Sequence, residues 1–192
     1  MSLFRQARRP LSTDDELMTE VKNGDLEKLA VLYEKYNRPL FVYFFKMTSD
    51  AQTSEDLVHV VFCKILKYRD LFRDSDGHFA TWLFRIAHNA RIDHYHKDKV
   101  LRNAENIEDL DLKSETDTAE EFDRKEKAER MREALNSLTD IQRETLILSR
   151  FHDLTYDEIA KIMNCREGTI KARVFRAMET LRGTYRALEK PS

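Results

Sequence analysis

Apolar residues recur along this chain at intervals of three and four. Leu57, Val58, Val61, Phe62, Ile65 and Leu66 make one such stripe. Phe79, Leu83, Ile86 and Ala90 make another, and Ile170, Val174, Ala177 and Leu181 a third. That spacing places each set on one face of an α-helix, and runs of β-branched residues are few.

Start and stop signals divide the pattern into elements. Thr13 with Glu16 predicts a capping box for a helix ending near Gly24, and Asp25 caps a longer helix that carries Pro39 and fades near Ser49. Pro39 is expected to kink it, because proline lacks an N–H and its ring crowds the preceding turn. Thr53 with Asp56 opens a third helix to about Arg69. After the turn "RDSDGH" a fourth runs from about Phe79 to Asp98. A new helix spans about Ala119 to Ser137, and the pairs Thr139/Gln142 and Thr155/Glu158 are two further capping boxes. "TYDEIAKIM" followed by "NCREGTIKARVFRAMETL" then has the helix, short turn and longer helix of a helix-turn-helix, whose second helix enters a DNA major groove.

Composition changes this picture in one place. Between Ala104 and Phe122 the chain is rich in Glu, Asp, Ser and Thr, Lys113 is the sole base, and no apolar period is sustained. A flexible acidic linker is expected, with protease cutting between Leu101 and Thr118. The expected architecture is all-α: a four-helix unit over residues 1–99, the linker over 100–118, and a helix-turn-helix unit over 119–192. Four Gly, three Pro and long stretches of good helix formers agree with it. No apolar run approaches the roughly 20 residues of a membrane span, so a cytoplasmic protein is expected.

The net charge of -2 conceals opposite charges in different segments. Bases outnumber acids between Lys161 and Lys190, where Thr169, Ala172, Arg173 and Arg176 lie opposite the apolar stripe, a small and basic surface suited to nucleic acid. On the fourth helix Phe84, Arg85, His88, Arg91 and Tyr95 lie away from the core stripe, and Trp82, Arg85 and Asn89 form a ridge beside them. Aromatic rings interleaved with cations suit single-stranded DNA, whose bases stack on rings while cations hold the phosphates. The alternative is that Trp82, Phe84 and Tyr95 are ordinary core or domain-contact aromatics. On the third helix Asp56, Val60, Cys63 and Lys67 fall opposite the core, an apolar centre with a charged rim, as in a protein-binding patch.

"DLVHVVFCKILKYRDLF", "FATWLFRIAHNARIDHYHKDK", the acidic segment and "LTDIQRETLILSRFHDLTYDEIAKIMNCREGTIKARVFRAMETLR" together resemble a bacterial extracytoplasmic-function sigma factor, from about Asp14 to Leu188. The resemblance implies a first domain, sigma region 2, that binds the clamp of the RNA polymerase beta-prime subunit, melts the minus-10 element and captures its unstacked bases. It implies a second, sigma region 4, that binds the beta flap and reads the minus-35 element as duplex. By position, Asp56, Leu57 and Phe62 match the clamp-binding helix, to which the surface reading adds Val60 and Cys63. His59 and Val60 stand where the family commonly has Gln and Glu. Trp82, Arg85 and Asn89 match the minus-10 segment, with His88, Arg91 and Tyr95 beside them. Lys171, Ala172, Arg173, Phe175 and Arg176 match the minus-35 recognition helix, with Thr169 on the same face. An anti-sigma factor, often membrane-anchored, is a further implied partner.

No catalytic, cofactor or metal site is expected. His88, His94 and His96 do not align on a helix face as ligands at i, i+4 would, and no Gly-rich phosphate loop or nucleophile elbow is present. No small-molecule substrate is expected either. Two rival functions remain open on the residues alone: a ligand-sensing helix-turn-helix regulator, and a protein-interaction module that uses the helix-turn-helix as a scaffold.

Overall fold

The computed structural model describes residues 13–73, 77–102, 119–151 and 154–189. Most of the acidic segment, residues 103–118, lies outside them. Among the described residues there are eight α-helices and one 3-10 turn. The first half comprises α1 (Thr13–Lys22), α2 (Glu27–Thr48), α3 (Ala51–Tyr68), the 3-10 turn Arg69–Leu71 and α4 (Phe79–Arg102). The second comprises α5 (Ala119–Asn136), α6 (Asp140–Phe151), α7 (Tyr156–Ile162) and α8 (Glu167–Glu189).

The predicted stripes of α3, α4 and α8 are buried except at their edges, where Leu66, Ile86 and Leu181 are half-buried. In α2, Leu32, Tyr36, Leu40, Tyr43, Phe44 and Met47 point inward, and the helix continues through Pro39. It stops at Ser49, which adopts a left-handed φ of 58° while its N–H donates to Phe45 O at 2.9 Å. The Asp25 carboxylate accepts from Glu27 N at 3.1 Å at its start. The cap of α3 differs from the expected one. Asp50, rather than Thr53, is the N-cap and accepts from the Thr53 N–H at 2.6 Å, while Asp56 accepts from Gln52 at 3.3 Å. Asp and Thr are both good caps, and the helix starts at the earlier of the two.

The start of α4 is capped from a distant helix. Asp15 of α1 is buried, and its carboxylate accepts from the Phe79 N–H at 2.5 Å and contacts His78 Nδ1 at 2.8 Å. Lys22, also on α1, donates to Phe72 O at 3.0 Å and so fixes the segment leading into α4. In the second half both predicted capping boxes form. Gln142 N and Thr139 N exchange hydrogen bonds with each other's side chains, and Thr155 with Glu158 does the same for α7. The helix-turn-helix turn is made by Asn164, which holds a left-handed φ of 47° while Cys165 N donates to Ala160 O at 2.9 Å. Asn tolerates that conformation better than most residues.

The two halves are packed together. α2 lies against α6, α4 lies against α7, and the buried side chains of both halves join in one continuous core. Phe84 belongs to that core. The sequence placed it on an outward face, but it is buried and meets Tyr43 edge-on at 5.8 Å. Helix α4 is covered on more than one side, so its buried sector is wider than a single apolar stripe.

Candidate functional site

On α3, Asp56, Val60 and Cys63 are exposed along one face, with Val60 41% accessible. Leu57 and Phe62 are not part of that surface. Both are core residues, and the Phe62 ring packs edge-on against Tyr33 at 4.8 Å. A contact with another protein is therefore open to Asp56, Val60 and Cys63, whereas Leu57 and Phe62 only hold the helix in place.

On α4, Arg85, Asn89 and Tyr95 are exposed and Trp82 is half-buried. The Trp82 ring is held edge-on against Phe72 at 5.5 Å and tilted against Phe79 at 6.2 Å, which fixes its rotamer beside the exposed residues. Trp82 and Arg85 share a cleft of about 230 Å³ with Arg73, His78 and, from the second half, Lys161.

His88 and Arg91 have a different environment from the rest of the ridge. Both contact Glu144, a fully buried residue of α6: His88 Nδ1 lies 2.7 Å from Oε1, and Arg91 Nη2 donates to Oε2 at 2.7 Å. The Tyr43 hydroxyl of α2 also donates to Oε1. Burial alone would raise the Glu144 pKa. The hydrogen bond from His88, the charges of Arg91 and His88 and the bond from Tyr43 outweigh it and hold the carboxyl below its ordinary range. Glu144 is thus ionised at neutral pH, and since a carboxylate only accepts, His88 Nδ1 is the donor. Burial in the same cluster, reinforced by the Glu144 charge, raises the Tyr43 hydroxyl pKa well above its usual value. A second polar contact joins the halves where Thr81 of α4 donates to Glu158 at 3.1 Å. The sequence assigned His88 and Arg91 to an open DNA face. In the packed chain they are engaged by the second half.

On α8, Lys171, Phe175 and Arg176 are exposed, Phe175 by 64%, and Thr169, Ala172 and Arg173 are half-buried on the same side. Ile170, Val174 and Ala177 are buried opposite them. Lys171 pairs with Glu167 at 2.8 Å, and Arg173 leans back to Cys165 Sγ at 3.7 Å. The face is small at Ala172 and cationic at its edges, which lets a helix backbone approach duplex DNA closely. Among the described residues no group of His, Cys, Asp or Glu is placed to hold a metal ion. No described helix is long and apolar enough to cross a membrane.

Glu144, Tyr43, Glu158 and Lys161 were not singled out for a role between the halves in the sequence reading. The signal for Glu144 was present: it lies three and four residues before Ile147 and Leu148, so a charge occupies the inward face of α6.

The sequence pattern of Sigma-70 region 2 matches residues 32–101, and that of Sigma-70, region 4 matches residues 128–181. The RNA polymerase sigma-H factor of Pseudomonas aeruginosa is 30% identical over 177 residues, 88% of this chain and 91% of that protein. The RNA polymerase sigma factor YlaC of Bacillus subtilis is 32% identical over 153 residues, 79% and 88% of the two chains. In fold the chain is similar to CnrH, solved in complex with the cytosolic domain of CnrY, with a TM-score of 0.71 at 19% identity over 92% of this chain and 99% of that one. It is also similar to the sigma factor RpoE of Bartonella quintana, solved with the anti-sigma factor NepR, with a TM-score of 0.66 at 24% identity over 82% and 96% of the two chains.

Proposed function

The chain belongs to the sigma-70 family of RNA polymerase sigma factors, in its extracytoplasmic-function group, and from that premise we propose that its two halves divide promoter recognition according to the state of the DNA. Residues 1–99 act on the minus-10 element as its strands part, residues 119–192 bind the minus-35 element as duplex, and residues 100–118 connect them. The observation that carries this reading is the pair of unlike surfaces. The exposed ridge of Arg85 and Asn89 beside the clamped Trp82 ring offers stacking, charge and an amide for an unpaired base edge. Helix α8 offers Lys171, Arg176 and a small Ala172 to a groove. Asp56, Val60 and Cys63 serve the polymerase clamp.

The chain acts in the cytoplasm by binding energy, and the chemistry is that of the polymerase. An anti-sigma factor is proposed as its regulator, since two chains of similar fold were solved with such partners or with a cytosolic domain bound.

Reconstituted holoenzyme tests the division of labour. Arg176→Ala should weaken closed-complex binding by about 1–3 kcal/mol if the guanidinium contacts a base edge. Asn89→Ala should leave closed-complex binding nearly intact and reduce the permanganate reactivity of unpaired thymines. If Asn89→Ala abolishes initial binding as fully as Arg176→Ala, and a pre-melted template fails to separate the two, the proposal is wrong.

A further inference from the structure

We propose that Glu144 stands in for a nucleic-acid phosphate: its carboxylate occupies, on Arg91 and His88, the position that a phosphodiester of the opened promoter takes when the two halves part. The proposal rests on the minus-10 role of α4 given above.

Arg85, His88 and Arg91 follow one another at intervals of three along α4, so they form a single row of donors. Arg85, at one end, is exposed. His88 and Arg91 are closed off by α6, and the group that closes them is an anion with two oxygens. Guanidinium N–H groups donate to carboxylate and phosphate oxygens alike, so the same side chain accepts either ligand.

At the buried carboxylates of the seam the donors come from the first half and the acceptors from the second: Tyr43, His88 and Arg91 meet Glu144, and Thr81 meets Glu158, while at the edge Arg143 of the second half donates to Met47 O at 3.4 Å. To His88 and Arg91 the second half thus presents an anion, as the DNA backbone does. The match to the guanidinium is incomplete, because Arg91 Nε is buried without a hydrogen-bond partner while Nη2 alone reaches Glu144. A phosphate approaching the Nε edge satisfies both, which gives DNA a means of displacing the carboxylate. Closure and strand capture are then mutually exclusive at Arg91, and each shifts the other's population.

The test uses the full chain in three forms: wild type, Glu144→Gln, which keeps the side-chain shape and removes the charge, and Tyr43→Phe, which removes one hydroxyl from a residue that keeps its packing. Small-angle scattering reads the separation of the halves, and the fluorescence of Trp82, the single tryptophan, which shares a cleft with Lys161 of the second half, follows the same event. A labelled single-stranded A/T-rich DNA oligonucleotide is the probe.

Both variants should enlarge the radius of gyration and tighten oligonucleotide binding, Glu144→Gln the more. If about nine-tenths of the wild-type chain is closed, the tightening is about tenfold. Adding Arg91→Gln to Glu144→Gln should remove the gain. Variants that melt cooperatively but stay as compact as wild type would overturn the latch. Expansion with no gain in oligonucleotide affinity would overturn the competition. Neither result touches the permanganate comparison of Asn89→Ala, so a failed minus-10 assignment is distinguishable from a failed latch. Where Glu144→Gln does not fold, Tyr43→Phe with and without Arg91→Gln gives the same two readouts.

Discussion

Replacing Asp15 tests whether α1 sets the start of α4. The carboxylate is 2% accessible and accepts from the Phe79 N–H at 2.5 Å, across 64 residues of chain. Asp15→Ala removes an N-cap, a change that costs about 0.5–2 kcal/mol. It also leaves a buried N–H unpaired, at about 1–3 kcal/mol. The two figures partly count the same hydrogen bond, so the expected loss is about 2–4 kcal/mol. Asp15→Asn keeps an oxygen for Phe79 and loses only the charge beside His78, so about 1 kcal/mol is expected. At roughly 2–4 °C per kcal/mol for a chain of this size, Asp15→Ala should melt about 4–16 °C below wild type. Urea titration with unchanged slope gives the free energies directly. Since α4 begins at Phe79 and carries Trp82 one turn on, Asp15→Ala should also reduce promoter opening more than closed-complex binding. An Asp15→Ala midpoint within about 0.5 kcal/mol of wild type, or an Asp15→Asn midpoint as low as that of Asp15→Ala, would refute the reasoning.

Two further outcomes follow from exposed and buried charge. Val60→Asp places a charge in the apolar centre of the α3 surface, so it should weaken binding to core polymerase by about 1–2 kcal/mol, read by competition against a labelled sigma factor, with no change in melting temperature. Glu144 has a lowered pKa in the closed chain and an ordinary one of about 4.5 once exposed. Its contribution to closure is therefore complete above pH 4.5 and falls as pH drops through the lower closed-state value. The stability difference between wild type and Glu144→Gln should shrink as pH falls below 4.5, as followed by urea unfolding at a series of pH values. A gap that widens on acidification would contradict the sign.

The parts of the fold governed by neighbours in sequence were legible before the structure. The capping boxes at Thr139 and Thr155, the inward stripe of α8 and the exposure of Arg176 all depend on contacts within a few residues, which spacing encodes. The family resemblance singled out α4 and α8, the helices on which the proposed function places the DNA contacts. What spacing did not encode was packing from outside an element. Phe84 lies off the main stripe of α4 and is buried because a second layer covers that side. His88 and Arg91 are polar, and spacing places them on an open face of α4 suited to DNA, yet Glu144 meets them from 56 and 53 residues away. The choice between Asp50 and Thr53 as the cap of α3 was a local ambiguity, since either residue type stabilises a helix start and only the backbone path decides.

Glu158 divides its two oxygens between separate duties. Oε2 accepts from the N–H and hydroxyl of Thr155, closing the start of α7 within the second half, and Oε1 accepts from the Thr81 hydroxyl across the seam. Both bonds of the Thr155–Glu158 box lie within the second half, so separation of the halves leaves that helix start closed. Joined behind a different first half, the second half keeps that helix start. The self-closing behaviour travels with it only where the new neighbour offers donors opposite Glu144 and Glu158.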